Sequence, residues 1–478
     1  MSPAAKFHRT ESKLCLLFWV SAVFYAIYKF TISALKYFLH FNDYYQDFIP
    51  GFKSRNRDSA DFEWEAVLYF ITTIFPFMLS YVVIYQSILK TTKANIWLQI
   101  SFPLIHITYF MGYKVMILAL LQPLFFHVVA RLQSKTTIWI FNIVCLAVIS
   151  VYKKLCSTEG FWGMSPYQAY FSFLFLYWMN LRCVSYCLSE EKQSLIKYLA
   201  YCLYFPTLFV GPFIPYEDYE RIYENANLSM RLRFQQLVFN VSRCLFWAIF
   251  IQISLHFVYV NAASFQMQLI EKLDLCSLCG YGYLMGQFFH LKYVVIYGLS
   301  TSLAAFENVA VPTLPRCIGR VHLYSDMWKY FDPGLYQFLK TCIFVPLRKW
   351  GLNKLGASLL CFIFVYMWHG TEEHILIWAL LNFTGLTFEN VINALCSKRL
   401  NLRDLSLRRL KNLLAAPLLA GSAVSNFYFF AGKEVGDLYV KKAWSEPFLN
   451  QFSLGLILYC CCEVSTEIRQ LQARKMGI

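Results

Sequence analysis

Charge is scarce in this chain of 478 residues: Asp, Glu, Lys and Arg together make up 15% of it. Soluble domains carry about a quarter. Hydrophobic side chains account for 58% and aromatic ones for 19%, and the mean hydropathy is +0.45. A soluble enzyme and a disordered chain are excluded together, because neither tolerates so few charges with so much apolar surface. The apolar stretches show no period-2 alternation, which excludes a membrane β-barrel. No internal repeat, low-complexity tract or segment able to fold alone in water is present. A disulfide framework is also absent, since most of the sixteen cysteines lie inside apolar segments, where free Cys is a small hydrophobe. Cys276 and Cys279 form an isolated CxxC without the two further ligands a structural zinc needs. No small-residue cleavage site follows residues 14–28, so the first apolar segment reads as a retained signal anchor.

What is there is a succession of long apolar windows. Ala66–Leu89, Phe171–Leu188, Leu195–Ile214 and Ile375–Leu395 are each long enough to cross about 30 Å of hydrocarbon. Backbone groups in lipid must pair within their own segment, so these windows are helices. Candidates lie near 14–28, 66–89, 95–111, 115–130, 137–152, 166–188, 195–214, 236–260, 281–304, 335–347, 355–371, 374–395, 412–432 and 447–462. Leu335–Leu347 is too short to cross alone. The stretch Tyr204–Tyr216 contains Pro206, Gly211, Pro212 and Pro215, which break a helix. The expected fold is all-α: one multi-pass transmembrane bundle over residues 1–478, with roughly 10–12 membrane segments including re-entrant or broken helices.

The net charge of +15 does not mark a nucleic-acid binder, because Lys and Arg gather in short loops between spans, as cytoplasmic loops require. Residues 396–411 hold Lys398, Arg399, Arg403, Arg408, Arg409 and Lys411 against Asp404 alone, and Arg348, Lys349 and Lys354 mark another such turn. Lys6, Arg9 and Lys13 place residues 1–13 on the same side, and the tail 463–478 follows by count of spans. Residues 42–65 carry Asp43, Asp47, Asp58, Asp61, Glu63 and Glu65, and read as luminal. Cys460, Cys461 and Cys462 suit either S-palmitoylation or helix packing.

Chemistry is sought among polar groups inside the membrane, where an ionisable side chain is costly and marks function by default. His369 ends the apolar run Leu359–Trp368 and is followed by Gly370. Asp332 sits in Met327-Trp-Lys-Tyr-Phe-Asp-Pro-Gly334. An imidazole that takes a proton near neutrality and a carboxylate that orients it are the parts of general-base catalysis. The bland alternative has His369 bonded to a carbonyl and Asp332 capping the helix entered by Pro333. By the loop charges His369 lies toward the lumen, whereas Lys329, Arg348 and Lys349 lie toward the cytosol. That arrangement suits moving a group from an anionic cytosolic donor to a luminal acceptor.

Trp368-His-Gly370 after an apolar helix, with Tyr330-Phe-Asp332 upstream, resembles the membrane-bound O-acyltransferase superfamily. Further matching stretches are Asp61-Phe-Glu-Trp64, Tyr204–Pro212, Lys292-Tyr-Val-Val-Ile-Tyr-Gly298, Leu314-Pro-Arg-Cys317, Leu381-Asn-Phe-Thr-Gly385 and Gly432-Lys-Glu-Val-Gly436. Asp-Phe-Glu-Trp and Leu-Pro-Arg-Cys point to the Hedgehog acyltransferase branch rather than to the branch acting on serine. The resemblance implies palmitate transfer from palmitoyl-CoA to the N-terminal cysteine of a secreted Hedgehog-like protein, in the endoplasmic reticulum or Golgi membrane. It makes His369 the catalytic base, Asp332 its companion acid, Trp328 and Lys329 donor-site residues, Asn426 a polar contact and Cys317 a haem ligand. One departure is Val345-Pro-Leu-Arg-Lys-Trp350, where the family commonly reads Pro-x-Gly-Gly. The alternatives are a hydroxyl acceptor (a Wnt-type serine, a sterol or a glycerolipid) and a non-enzymatic transporter or scaffold. The missing inverted repeats argue against the transporter, and the presence of His369 against the scaffold.

Overall fold

The computed structural model describes residues 3–40, 47–52, 55–88, 92–132, 134–158, 160–189, 194–220, 229–398 and 404–475. These form the expected helical bundle. Nine of the described helices are long and apolar enough to cross a membrane, and Ile96–Met111 and Lys354–His369 are shorter apolar helices. The 32-residue helix Leu275–Phe306 runs through the interior, packed against Pro3–His40, Met230–Ser254 and Asp404–Ser445. Strand structure among the described residues is one antiparallel pair, Phe48–Pro50 with Asn56–Asp58. It is tied down by Asp58, whose carboxylate accepts from the backbone N–H groups of Ala60, Asn261 and Ala262.

Several segments differ from the sequence expectation. Residues 195–214 do not span: a helix at Leu195–Cys202 gives way to a short 3-10 turn at Phe205–Thr207 and then to irregular chain. Proline at 206, 212 and 215 removes the amides that would continue the helix. The exposed carbonyls are taken by Arg182, a 2% exposed side chain on the neighbouring helix Pro166–Leu188. Its guanidinium donates to the carbonyls of Cys202 (3.0 Å), Tyr204 (3.3 Å) and Thr207, and to the Thr207 hydroxyl (2.8 Å). Broken backbone at membrane depth survives only where protein covers it, and here one buried cation supplies the donors.

The second broken segment follows Asp332. Helix Pro333–Phe338 passes into a π-helical turn, Leu339–Phe344, and then into Val345–Lys349. Pro346 cannot donate to the carbonyl four residues back, and the widened turn absorbs the fault. The two broken segments meet at Gly334, where a Cβ would strike the backbone of Phe213. Gly211 has φ +71°, and the Trp178 ring lies within 2.8 Å of where its Cβ would stand, so a side chain there is barred twice.

The described residues near both ends are helical. The first helix begins at Pro3 and the last runs to Lys475, while the expected 412–432 segment belongs to the 42-residue helix Asp404–Ser445, kinked at Gly432. Arg408 pairs with Glu463 (2.6 Å) and Glu467 (3.0 Å), and Arg409 with Glu11 (2.5 Å), so these basic residues also clamp the first and last helices together. Arg399 and Arg403, and Asp43 in the acidic loop, lie outside the described residues. Cys460, Cys461 and Cys462 are at most 5% exposed and pack inside the helix layer, which favours the packing reading over acylation.

Candidate functional site

The two broken segments and the helices packed around them line a cavity of about 330 Å³. His369, Asp332, Trp328 and Asn426 all line it, although they are spread over almost a hundred residues of sequence. Most of its wall is apolar or aromatic, including Trp178, Trp368, Trp378 and Phe429.

His369 is the last residue of Lys354–His369. The preceding Trp368 pins this helix end by donating its indole N–H to the carbonyl of Tyr177 at 3.3 Å. The half-buried imidazole stands edge-to-face between Trp378 and Phe429, with ring centroids 5.4 Å away in each case. Neither ring nitrogen hydrogen-bonds to any described residue, so the expected carbonyl partner is not found. An unpartnered imidazole in an aromatic cage keeps a lone pair for an incoming group, which is the geometry a general base needs.

Asp332 caps its helix, as the bland reading expects, and also faces the cavity. Its Oδ1 accepts the Leu335 N–H at 2.9 Å and caps Pro333–Phe338, while its Oδ2 accepts the Tyr297 hydroxyl at 2.8 Å inside the cavity wall. Trp328 packs against Phe362 and Trp378 with ring centroids 4.9 and 5.5 Å away. Its indole donates to Asn382 Oδ1 at 3.2 Å, and Asn382 in turn donates to the Ser425 hydroxyl (3.2 Å) and the Trp378 carbonyl (2.8 Å). The apolar slot beside Trp328 is thus fixed by a short polar network.

Lys329 and Cys317 are not brought into the cavity. Lys329 is exposed, its ammonium 5.1 Å from the centroid of the Tyr330 ring, over which Arg316 also stacks at 3.5 Å. Cys317 is a free, half-buried thiol 3.5 Å from Gln287 Oε1. Among the described residues no group of three or more His, Cys, Asp or Glu side chains could hold a metal ion. A metal at Cys317 would therefore have one protein ligand, an arrangement that haem iron accepts and structural zinc does not.

Sequence reasoning missed Glu63. Counted above as a luminal charge and as part of the Asp61-Phe-Glu-Trp64 stretch, but not as a site residue, it lines the cavity. Its carboxylate accepts from the hydroxyls of Tyr170 (2.8 Å) and Tyr293 (3.0 Å) and pairs with Lys292 at 2.7 Å. Lys292, with its side chain only 4% exposed, also pairs with Asp61 at 2.9 Å. Two carboxylates around one ammonium leave a net charge of about −1 beside the cavity. Lys292 inside an otherwise apolar segment was the available signal, since a buried cation demands an anion from elsewhere in the chain. At the rim Lys153 pairs with Glu372 at 3.3 Å, three residues beyond His369.

Residues 125–404 match the model of MBOAT, the membrane-bound O-acyltransferase family. The chain is 32% identical to the protein-cysteine N-palmitoyltransferase Rasp of Drosophila melanogaster over 87% of its length and 86% of that protein's. It is 25% identical to the protein-cysteine N-palmitoyltransferase HHAT of Mus musculus, over 86% of its length and 88% of that protein's. A mouse HHAT-like protein is 21% identical over 73% of the chain and 72% of its own length. An unpartnered imidazole, a carboxylate and an apolar slot thus share one membrane-embedded cavity in a chain that, by extent of match, belongs to the membrane-bound O-acyltransferase family and is an acyltransferase.

Proposed function

We propose that this enzyme transfers palmitate from palmitoyl-CoA to the N-terminal cysteine of a secreted protein of the Hedgehog type, from within the endoplasmic reticulum membrane. The observation that carries the reading is the free imidazole of His369 in a cavity that also presents Asp332 and Glu63. The excess negative charge at Glu63, Asp61 and Lys292 favours a cationic acceptor such as an α-ammonium over a neutral hydroxyl, which speaks against the serine, sterol and glycerolipid alternatives. The apolar slot at Trp328 accommodates the acyl chain, and the half-buried Arg316 and the exposed Lys329 suit the phosphates of CoA.

In the reaction, the α-ammonium first releases one proton to water, and the neutral amine then loses a second to His369 as its nitrogen attacks the thioester carbonyl. The tetrahedral intermediate expels the CoA sulfur, which takes that proton from His369, and a new C–N bond replaces the broken C–S bond. An α-amine has a pKa near 8, so a base of imidazole strength is well matched to it. Asp332 holds negative charge near the imidazolium that forms. By the loop-charge argument, the end bearing Arg408 and Arg409 faces the cytosol and the Lys153–Glu372 rim faces the lumen. In the same reading Cys317, whose thiol does not line the cavity, would hold a haem, an assignment that rests on the family resemblance.

The test is reconstitution of the purified enzyme in liposomes with palmitoyl-CoA and a peptide beginning with cysteine. Mass spectrometry is expected to find one palmitoyl group, stable to hydroxylamine as an amide is. Transfer of equal efficiency to a peptide with N-acetylated serine, or to a sterol or glycerolipid, would overturn the reading.

A further inference from the structure

Tyr297 has no role in the account so far. It lies four residues after Tyr293 on Leu275–Phe306, on the face turned to the cavity, and the two rings meet edge-on with centroids 5.2 Å apart. Tyr293 gives its hydroxyl to Glu63, and Tyr297 gives its hydroxyl to Asp332. One helix face thereby reaches both carboxylates of the cavity.

The Asp332 carboxylate accepts from the backbone N–H groups of Leu335 and Gly334, cap bonds from its own segment of chain, and from one side chain, the Tyr297 hydroxyl on Oδ2. Tyr297 alone ties it to the neighbouring helix, and Tyr297 is itself 4% exposed, with its ring packed against Trp178. We propose that Tyr297 is a positioning residue for acyl transfer: through its hydroxyl it fixes the Asp332 carboxylate in the orientation the reaction uses. The inference rests on the reading of Asp332 as a carboxylate that acts in the site. A hydrogen bond to a charged acceptor in a water-poor cavity is stronger than a neutral pair, so its loss is felt in the rate.

The experiment is a double-mutant cycle on purified, reconstituted enzyme, with activity expressed per monodisperse molecule. Tyr297→Phe keeps the ring and removes one oxygen. It is expected to lower kcat about tenfold, with the KM for palmitoyl-CoA and the melting temperature near wild type. In an Asp332→Asn background the same change is expected to cost less than about twofold, because a residue acting through Asp332 has nothing left to orient. Tyr281→Phe is the control. Tyr281 lies on the same helix as Tyr297 but outside the cavity lining, its buried hydroxyl donates to Ser264 of the short helix Val260–Ser264, and turnover is expected to stay unchanged. Wild-type kcat in Tyr297→Phe, or an undiminished tenfold loss in the Asp332→Asn background, overturns the assignment of Tyr297. Wild-type turnover in Asp332→Asn alone overturns the reading of Asp332 itself, and the two failures are thereby told apart.

Discussion

Arg182 makes the sharpest prediction about how the membrane interior is organised. Replacing it with Met keeps the length and the apolar stem but removes every donor. Three backbone carbonyls, those of Cys202, Tyr204 and Thr207, then face the interior without a partner. Each orphaned buried acceptor costs about 1–3 kcal/mol, so the three together cost roughly 3–9 kcal/mol. Part is offset because a guanidinium no longer has to be desolvated, and no carboxylate is hydrogen-bonded to it. A net loss of about 3 kcal/mol, the middle of that range less the offset, is a large share of the 5–15 kcal/mol typical of a folded protein. The damage should also reach the cavity, since the irregular chain held by Arg182 continues to Gly211 against Trp178 and to Phe213 against Gly334. Thermal melting in detergent, followed by fluorescence-detected gel filtration, is expected to fall by at least about 5 °C, with palmitoyl transfer per folded molecule reduced. Arg182→Lys should fall between the two, because one ammonium cannot span three carbonyls. A methionine variant that melts within about 1 °C of wild type would refute the claim that this cation holds the broken segment.

Three further outcomes are expected. His369→Ala should lower turnover by roughly 10²–10⁴-fold while leaving expression and melting near normal, because the ring makes no hydrogen bond to a described residue; retention of a tenth of the activity sinks the base assignment. Gly334→Ala should impair turnover more than stability, since its Cβ pushes the segment carrying Asp332 off the Phe213 backbone, and an unaffected rate would show that this contact does not set the site. Cys317→Ala should abolish the Soret absorbance of purified protein without abolishing palmitoyl transfer; an unchanged spectrum removes Cys317 as ligand, and no absorbance in the wild type removes the haem.

The sequence by itself determined the solvent and the helical class, and it singled out His369 as the candidate base. Lipid forces every backbone polar group to pair locally, so unbroken apolar windows can only be helices, and an imidazole placed among them stands out against its surroundings. The prolines at 206, 212 and 215 were enough to deny a span at 195–214 its regular helix. What followed the break was invisible, because the donor that satisfies it, Arg182, is fixed by three-dimensional approach and not by spacing. The same holds at the site. Asp332 was legible as a cap or as a functional acid, and only the structure showed that the capping carboxylate also takes the Tyr297 hydroxyl in the cavity wall. Glu63 looked like one more charge in an acidic loop until Lys292, more than two hundred residues on, was found beside it. Lys329 shows the converse: it adjoins Trp328 in sequence, yet successive residues of a helix point about 100° apart, so its ammonium lies over Tyr330 and outside the cavity. Local pairing and composition are written residue by residue. Which charges meet across a bundle depends on how the helices pack, and that was decided only by the tertiary structure.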